Sequence, residues 1–158
     1  NTDAEGRLIL ADALHYAKRY NPKLVIDVAT LTGSAARSIG KHGIVAMEKN
    51  AYYATSNMYG LWEAGEITGE RVAPQPFWGD YKNELTSSIA DIKNLGGAEA
   101  GHITAGKFLE HFVAYPWIHL DIAGPAFLKS KFLYYKRGAT GIGSRLLTHF
   151  IYNSHIKS

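Results

Sequence analysis

Asp3, Glu5 and Arg7 stand at alternate positions in the opening octapeptide Asn1-Thr2-Asp3-Ala4-Glu5-Gly6-Arg7-Leu8, just ahead of a helical pattern. On an extended backbone, side chains two residues apart leave the same side, so these three would point into one space. Two carboxylates that close repel each other unless a metal or Arg7 lies between them, and hard carboxylate oxygens suit Zn, Mn or Mg. Arg7 would not itself be a ligand, because a guanidinium has no lone pair to offer. Without its flanks, the Asp-x-Glu pair would be no more than the acidic cluster that a helix dipole favours at a helix start.

Other candidates are weaker. Asp27 and Asp121 sit inside apolar runs where a lone ionised carboxylate is expensive. Both are expected to be structural, hydrogen-bonded to loop amides, and Asp91 is read in the same way. No His-Glu-x-x-His spacing occurs among the seven histidines, and His15, His111, His149 and His155 fit exposed or boundary helix positions. Gly33 to Lys41 imitates a phosphate loop, but its glycines are too far apart and His42 stands where a hydroxyl would bind magnesium. Gly138 to Gly143 has its glycines in the wrong order for a dinucleotide fingerprint, and no Gly-x-Ser-x-Gly elbow is present.

The elements that must position these residues read as an alternation. Leu10, Leu14 and Ala17 form one stripe of a helix over 6–20, stopped by Asn21-Pro22. Leu24 to Ala29 is a short apolar run, the pattern of a strand covered on both faces. Helices are predicted over 33–39, 50–67, 78–85, 103–114 and 141–152. Strands are predicted over 43–47, 71–75, 88–92 and 117–122, with Pro74 and Pro76 confining 71–75 to an edge. The alternation predicts a three-layer α/β/α domain with a mixed, largely parallel sheet. Ligand sites in such folds lie beyond the carboxyl ends of the strands. That singles out the loops at 30–33, 94–101 and 123–126.

Composition sets the frame. The 158 residues, 46% hydrophobic and 20% charged, favour one globular domain and neither disorder nor a membrane protein. No apolar run approaches the ~20 residues of a spanning helix. The absence of cysteine excludes disulfides, thiol nucleophiles and cysteine-bound zinc from this segment and fits a reducing compartment. The net charge of +3 is uneven: after residue 120, Lys129, Lys131, Lys136, Arg137, Arg145 and Lys157 face Asp121 alone. A solvated basic face accounts for this more simply than a nucleic-acid contact.

The opening octapeptide resembles the signature of the leucyl aminopeptidase family. The likeness continues through Asp27-Val28-Ala29-Thr30-Leu31-Thr32-Gly33, Ala90-Asp91 with Asn94 and Gly96-Gly97, Ile103-Thr104-Ala105, and His119-Leu120-Asp121-Ile122-Ala123-Gly124. The resemblance implies a two-metal exopeptidase that removes leucine-like amino-terminal residues from peptides in the cytoplasm. It implies Asp3 and Glu5 as ligands of two divalent ions, Mn or Zn with Mg and Co as further candidates, and Arg7 as the holder of a bicarbonate that shuttles a proton. A metal pair supplies an activated water, a polarised carbonyl and a grip on the oxyanion. By the same resemblance Leu31 presents backbone groups near the bicarbonate. Thr30, Gly33, Ala123 and Ala126 would line the pocket for the first substrate side chain, although ordinary turn chemistry explains these small residues equally well. Residues 1–158 are then the second half of a catalytic domain, without the upstream segment that carries further ligands and a catalytic lysine. The chain alone is expected to be inactive, and its parent to be a homo-hexamer with peptide substrates and no membrane, the alternative being a DNA-binding or regulatory member of the same family. His102, where the family has a small residue, and Ile142, where a basic one is common, depart from the pattern.

Overall fold

The computed structural model describes residues 4–49 and 56–156. Asp3 and the expected start of the helix at residues 50–55 lie outside these described residues.

A four-stranded sheet forms the middle layer, built from β1 (Val25–Ala29), β2 (Ile44–Glu48), β3 (Val72–Pro74) and β4 (Trp117–Asp121) in the order β1-β4-β2-β3. β1 and β4 are parallel, β2 and β3 are parallel, and β2 runs antiparallel to β4, so the sheet is mixed and mostly parallel. The expected proline-bearing strand is the edge strand β3, where a missing N–H costs no ladder bond. Among the described residues five helices flank the sheet: α1 (Gly6–Ala17), α2 (Gly33–Ile39), α3 (Ser56–Thr68), α4 (Gly101–Glu110) and α5 (Ser144–Ile156). One core packs Ala11 and Leu14 of α1, Ala35 of α2 and Ile103 and Leu109 of α4 on Val45, Met47 and Trp117. On the opposite face, Met58 and Leu61 of α3 and Leu146 and Phe150 of α5 pack on Ile44, Ala46, Ile118 and Leu120. Alternation along β2 and β4 divides the two cores, which makes the three layers.

α1 buries Arg7, Ala11 and Leu14, a stripe that begins one turn earlier than the apolar pattern predicts because it carries the guanidinium inward. A 3-10 turn (Lys18–Tyr20) and Asn21 at φ 45° end it. Residues 88–92, expected to form a strand, make bends instead, and Asp91 is exposed rather than buried. Each of their side chains except a half-buried Ile92 faces solvent, so no sheet face is offered to a neighbour. Residues 79–85 coil as a 3-10 helix, and a small hairpin, β5 (Phe127–Leu128) with β6 (Gly138–Ala139), was not legible in the sequence. Among the described residues β1 pairs on one side only, and Val28 on that edge is 38% exposed.

Candidate functional site

Parallel pairing of β1 with β4 puts Ala29 opposite Asp121, so the loops that follow both strands leave the sheet side by side. Asp121, 1% exposed, ties them together. Its Oδ1 accepts from the Leu31 N–H at 3.1 Å and from the Ala123 N–H at 3.1 Å. Its Oδ2 accepts from the Thr32 hydroxyl at 2.8 Å. Thr32 in turn caps α2, its Oγ1 accepting from the Ala35 N–H at 2.9 Å. The expectation that Asp121 binds loop amides therefore holds.

The same expectation fails for Asp27. Its partners are side chains, the Trp117 indole N–H at 2.6 Å and the His119 Nδ1–H at 2.6 Å, because β4 is in register with β1 and points both rings across the strand pair. His119 is fully buried, and its Nε2 has no partner among the described residues. Sequence reasoning missed this triad. The alternation Trp117-x-His119-x-Asp121, one face of one strand, was the available signal.

Arg7 is the buried cation of the site. Its Nη1 donates to the Asn94 carbonyl at 2.8 Å, and the Asn94 side-chain amide reaches the Ala4 carbonyl at 3.5 Å, so the start of α1 and the 94–100 loop hold each other. Burial pulls the Arg7 proton affinity below its ordinary value and the charge of Asp121 partly restores it, but a guanidinium stays protonated in either case. A cleft of about 240 Å³ opens here, lined by Arg7, Leu31, Thr32, Gly33, Ser34 and Gly96 among others. The structure thus brings Arg7, Leu31 and Gly33 together. Thr30, Ala123 and Ala126 lie outside the lining of this cleft, Thr30 exposed at the end of β1 and Ala126 bonded through its backbone to Ile122 and Thr140. The Leu31 amide is committed to Asp121.

His102, a departure from the family pattern, is buried in the first turn of α4 and contacts Ser34 Oγ at 3.0 Å and Gln75 Oε1 at 3.1 Å. Burial lowers its proton affinity, against a smaller opposing effect of Asp121. His15 and His111 are exposed, as expected of bystanders, and His149 is half-buried; the side chain of His155 is outside the described residues.

The donor set does not by itself make a metal centre. Glu5 is exposed at the start of α1, its side chain caps nothing, and Asp3 is not described. Among the described residues no three acids or histidines converge on a point that could hold an ion. Divalent ions take four or more donors, so any metal needs ligands beyond these residues. A small oxyanion, by contrast, fits the cleft, because a buried guanidinium supplies charge and several directed N–H donors.

Residues 1–148 match the catalytic domain of the cytosol aminopeptidase family. A probable cytosol aminopeptidase of Roseiflexus castenholzii is 49% identical over 149 residues, covering 93% of this chain and 30% of that protein. Those of Colwellia psychrerythraea and Saccharophagus degradans are 47% and 44% identical, over 97% and 98% of this chain and 29% of each relative. The chain therefore spans somewhat less than a third of the length of these curated relatives. It belongs to the cytosol aminopeptidase family, within the sequence of that family's catalytic domain.

Proposed function

We propose that the full-length protein is a metal-dependent aminopeptidase that releases amino-terminal residues, leucine-like ones by preference, from peptides in the cytoplasm. Asp3 and Glu5 are two ligands of its divalent ions, Mn or Zn, and the remaining ligands lie outside the described residues. The observation that carries this reading is the Arg7 cleft at the carboxyl end of β1 and β4, shaped by loops that Asp121 ties together. Arg7 and the wall formed by Thr32, Gly33 and Ser34 would hold a bicarbonate, which when bound supplies a proton acceptor beside the reacting water. Thr30, Ala123 and Ala126 lie at or beyond the ends of the same strands, where the first substrate side chain would be received. The assembly is a homo-hexamer, consistent with the half-covered β1 edge and with Leu8 and Ile9 exposed on α1. No described helix is long and apolar enough to cross a membrane.

The test is turnover of a leucine anilide by the full-length protein with manganese, before and after Glu5→Ala and Arg7→Ala. A loss of at least tenfold in each is expected, and unchanged turnover in Glu5→Ala removes Glu5 from the mechanism. A second reading concerns the 158-residue chain alone: with no acid or histidine cluster among the described residues, it binds no metal tightly and is inactive. Calorimetric titration with Mn or Zn should show no tight site, and a submicromolar two-ion isotherm overturns that view.

A further inference from the structure

Ser34 enters the proposed reaction only as part of the cleft wall, and His102 has no assigned role in it. Ser34 lines the Arg7 cleft, and His102, 7% exposed, lies directly behind it. Gln75 fixes the order of protons between them. Its backbone N–H continues the β3 ladder onto the Ala46 carbonyl at 2.9 Å, and its side-chain amide donates to the Ala73 carbonyl at 3.1 Å and the Pro74 carbonyl at 3.4 Å. With the NH2 group held there, its Oε1 is the atom that meets His102 Nε2, at 3.1 Å. An amide oxygen only accepts, so Nε2 carries the ring proton. Burial favours the neutral ring, which leaves Nδ1 a bare lone pair. Contact between Nδ1 and Ser34 Oγ at 3.0 Å then requires the hydroxyl to donate. A serine hydroxyl has one proton, and with that proton given to His102 it shows the cleft lone pairs alone. The cleft lining thus combines an acceptor-only hydroxyl with the strong donors Arg7 and Arg37.

We infer that Ser34, oriented by His102, makes the Arg7 cleft select a small planar oxyanion that still carries a proton, bicarbonate, over one of equal charge and outline that carries none. The inference rests on the reading of the cleft as an oxyanion site. Bicarbonate can give its O–H to Ser34 while its charge meets Arg7. Nitrate has the same charge and a similar planar shape, but would set oxygen lone pairs against those of Ser34. In this arrangement Ser34 is the specificity-determining contact and His102 is a positioning residue.

The experiment measures binding of 13C-labelled bicarbonate to the full-length protein by NMR line broadening near neutral pH, with nitrate as competitor. The wild type should prefer bicarbonate by roughly tenfold, the worth of one hydrogen bond involving a charged partner. Ser34→Ala and His102→Phe should bring the ratio close to one. His102→Asn should keep the preference, because its side-chain oxygen offers an acceptor where Nδ1 stands, and a merely space-filling role for His102 would not produce that rescue. An unchanged ratio in Ser34→Ala overturns the inference, and this variant decides the matter if circular dichroism shows that His102→Phe does not fold. If the wild type binds both anions equally and Arg7→Ala loses both, the selection is refuted while the oxyanion site stands. If the wild type binds neither anion, both fall.

Discussion

Two buried carboxylates, Asp121 and Glu70, do the same mechanical job at two helix starts and differ in what they leave behind. Asp121 accepts from two loop amides and reaches α2 through the Thr32 hydroxyl. Glu70, 2% exposed, accepts from the Gly143 N–H at 3.0 Å and the Leu146 N–H at 2.8 Å, and so caps α5 directly. The third partner separates them. Glu70 is met by the Arg145 guanidinium at 3.1 Å, which balances its charge locally and leaves it acting only on the neighbouring Tyr134 and Tyr135 hydroxyls. The third partner of Asp121 is a neutral hydroxyl, so its charge persists and acts through space on Arg7 and His102, in each case opposing the larger effect of burial. A scaffold joint and a site joint are thus made of one device, and a guanidinium or a hydroxyl as the third partner decides which it becomes.

The largest effect should follow from Asp121→Ala. It leaves two amides and a hydroxyl without their acceptor in a buried place, so stability should fall by about 3–5 kcal/mol in urea titration. Oxyanion binding should be lost as well, because the 31–34 turn that lines the cleft loses its anchor. Glu70→Ala should cost somewhat less, about 2–4 kcal/mol, because water can reach part of the α5 start while the Arg145 side chain is 46% exposed. If the comparison is sound, the folded fraction of Glu70→Ala retains wild-type bicarbonate affinity. Equal damage to binding in both variants would mean that the two joints are not functionally distinct.

Gly124 sharpens the same contrast without touching a charge. A Cβ added there would lie 2.0 Å from the Gly40 carbonyl oxygen, a backbone atom that cannot swing aside. Gly124→Ala should therefore push the 123–126 loop off the end of α2 and cost roughly 2–3 kcal/mol with Asp121 intact. Binding in the cleft should weaken along with it, measurable by the same NMR titration.

The layers, the order of most elements and two of the three loops, 30–33 and 94–101, that line the cleft were legible in the sequence, because apolar runs of strand length alternating with amphipathic stretches leave few topologies open. The acidic residues were harder. Asp121 and Asp27 look alike in sequence, each inside an apolar strand, and only the register of β1 against β4 sends one to loop amides and the other to two rings. Residues 88–92 mimic a strand locally, yet no neighbouring strand receives them, and a strand is decided by its partner as much as by its own side chains. His102 stands out in the sequence only as a departure from the pattern, because its partners, Ser34 and Gln75, are 68 and 27 residues away along the chain. The metal ligands could be proposed from spacing but not assembled: Glu5 is exposed and Asp3 is outside the described residues.

A smaller effect concerns pH. Burial depresses the His102 proton affinity below the ordinary value of 6.5, with Asp121 opposing in part. The unfolded chain then binds more protons than the folded one between 6.5 and the lower folded value, so stability rises with pH across that window and is lost as the solution is acidified through it. His102→Asn carries no titrating ring, so its melting temperature should fall less than that of the wild type between neutral pH and about pH 5. Identical acid profiles would show that His102 contributes no proton linkage.

The smallest change should come from Arg145→Ala, and it is the one that isolates charge from capping. Arg145 donates from Nε to Glu70 and from Nη2 to the Tyr135 hydroxyl at 2.6 Å and to the Tyr134 hydroxyl, so truncation removes the ion pair and both tyrosine contacts. Glu70 keeps its two amides, and the guanidinium is substantially solvated, so the loss should stay within roughly 1 kcal/mol. Tyr134, whose proton affinity is lowered first by the Tyr135 hydrogen bond and also by Arg145, should titrate at higher pH in the variant, as read by ultraviolet absorbance. A loss several times larger would show that the guanidinium, rather than the two amides, keeps a buried carboxylate tolerable at this joint. In that case Asp121, which has only a hydroxyl in the same place, would depend on Arg7 for its charge balance, and Arg7→Ala should destabilise the fold as well as abolish anion binding.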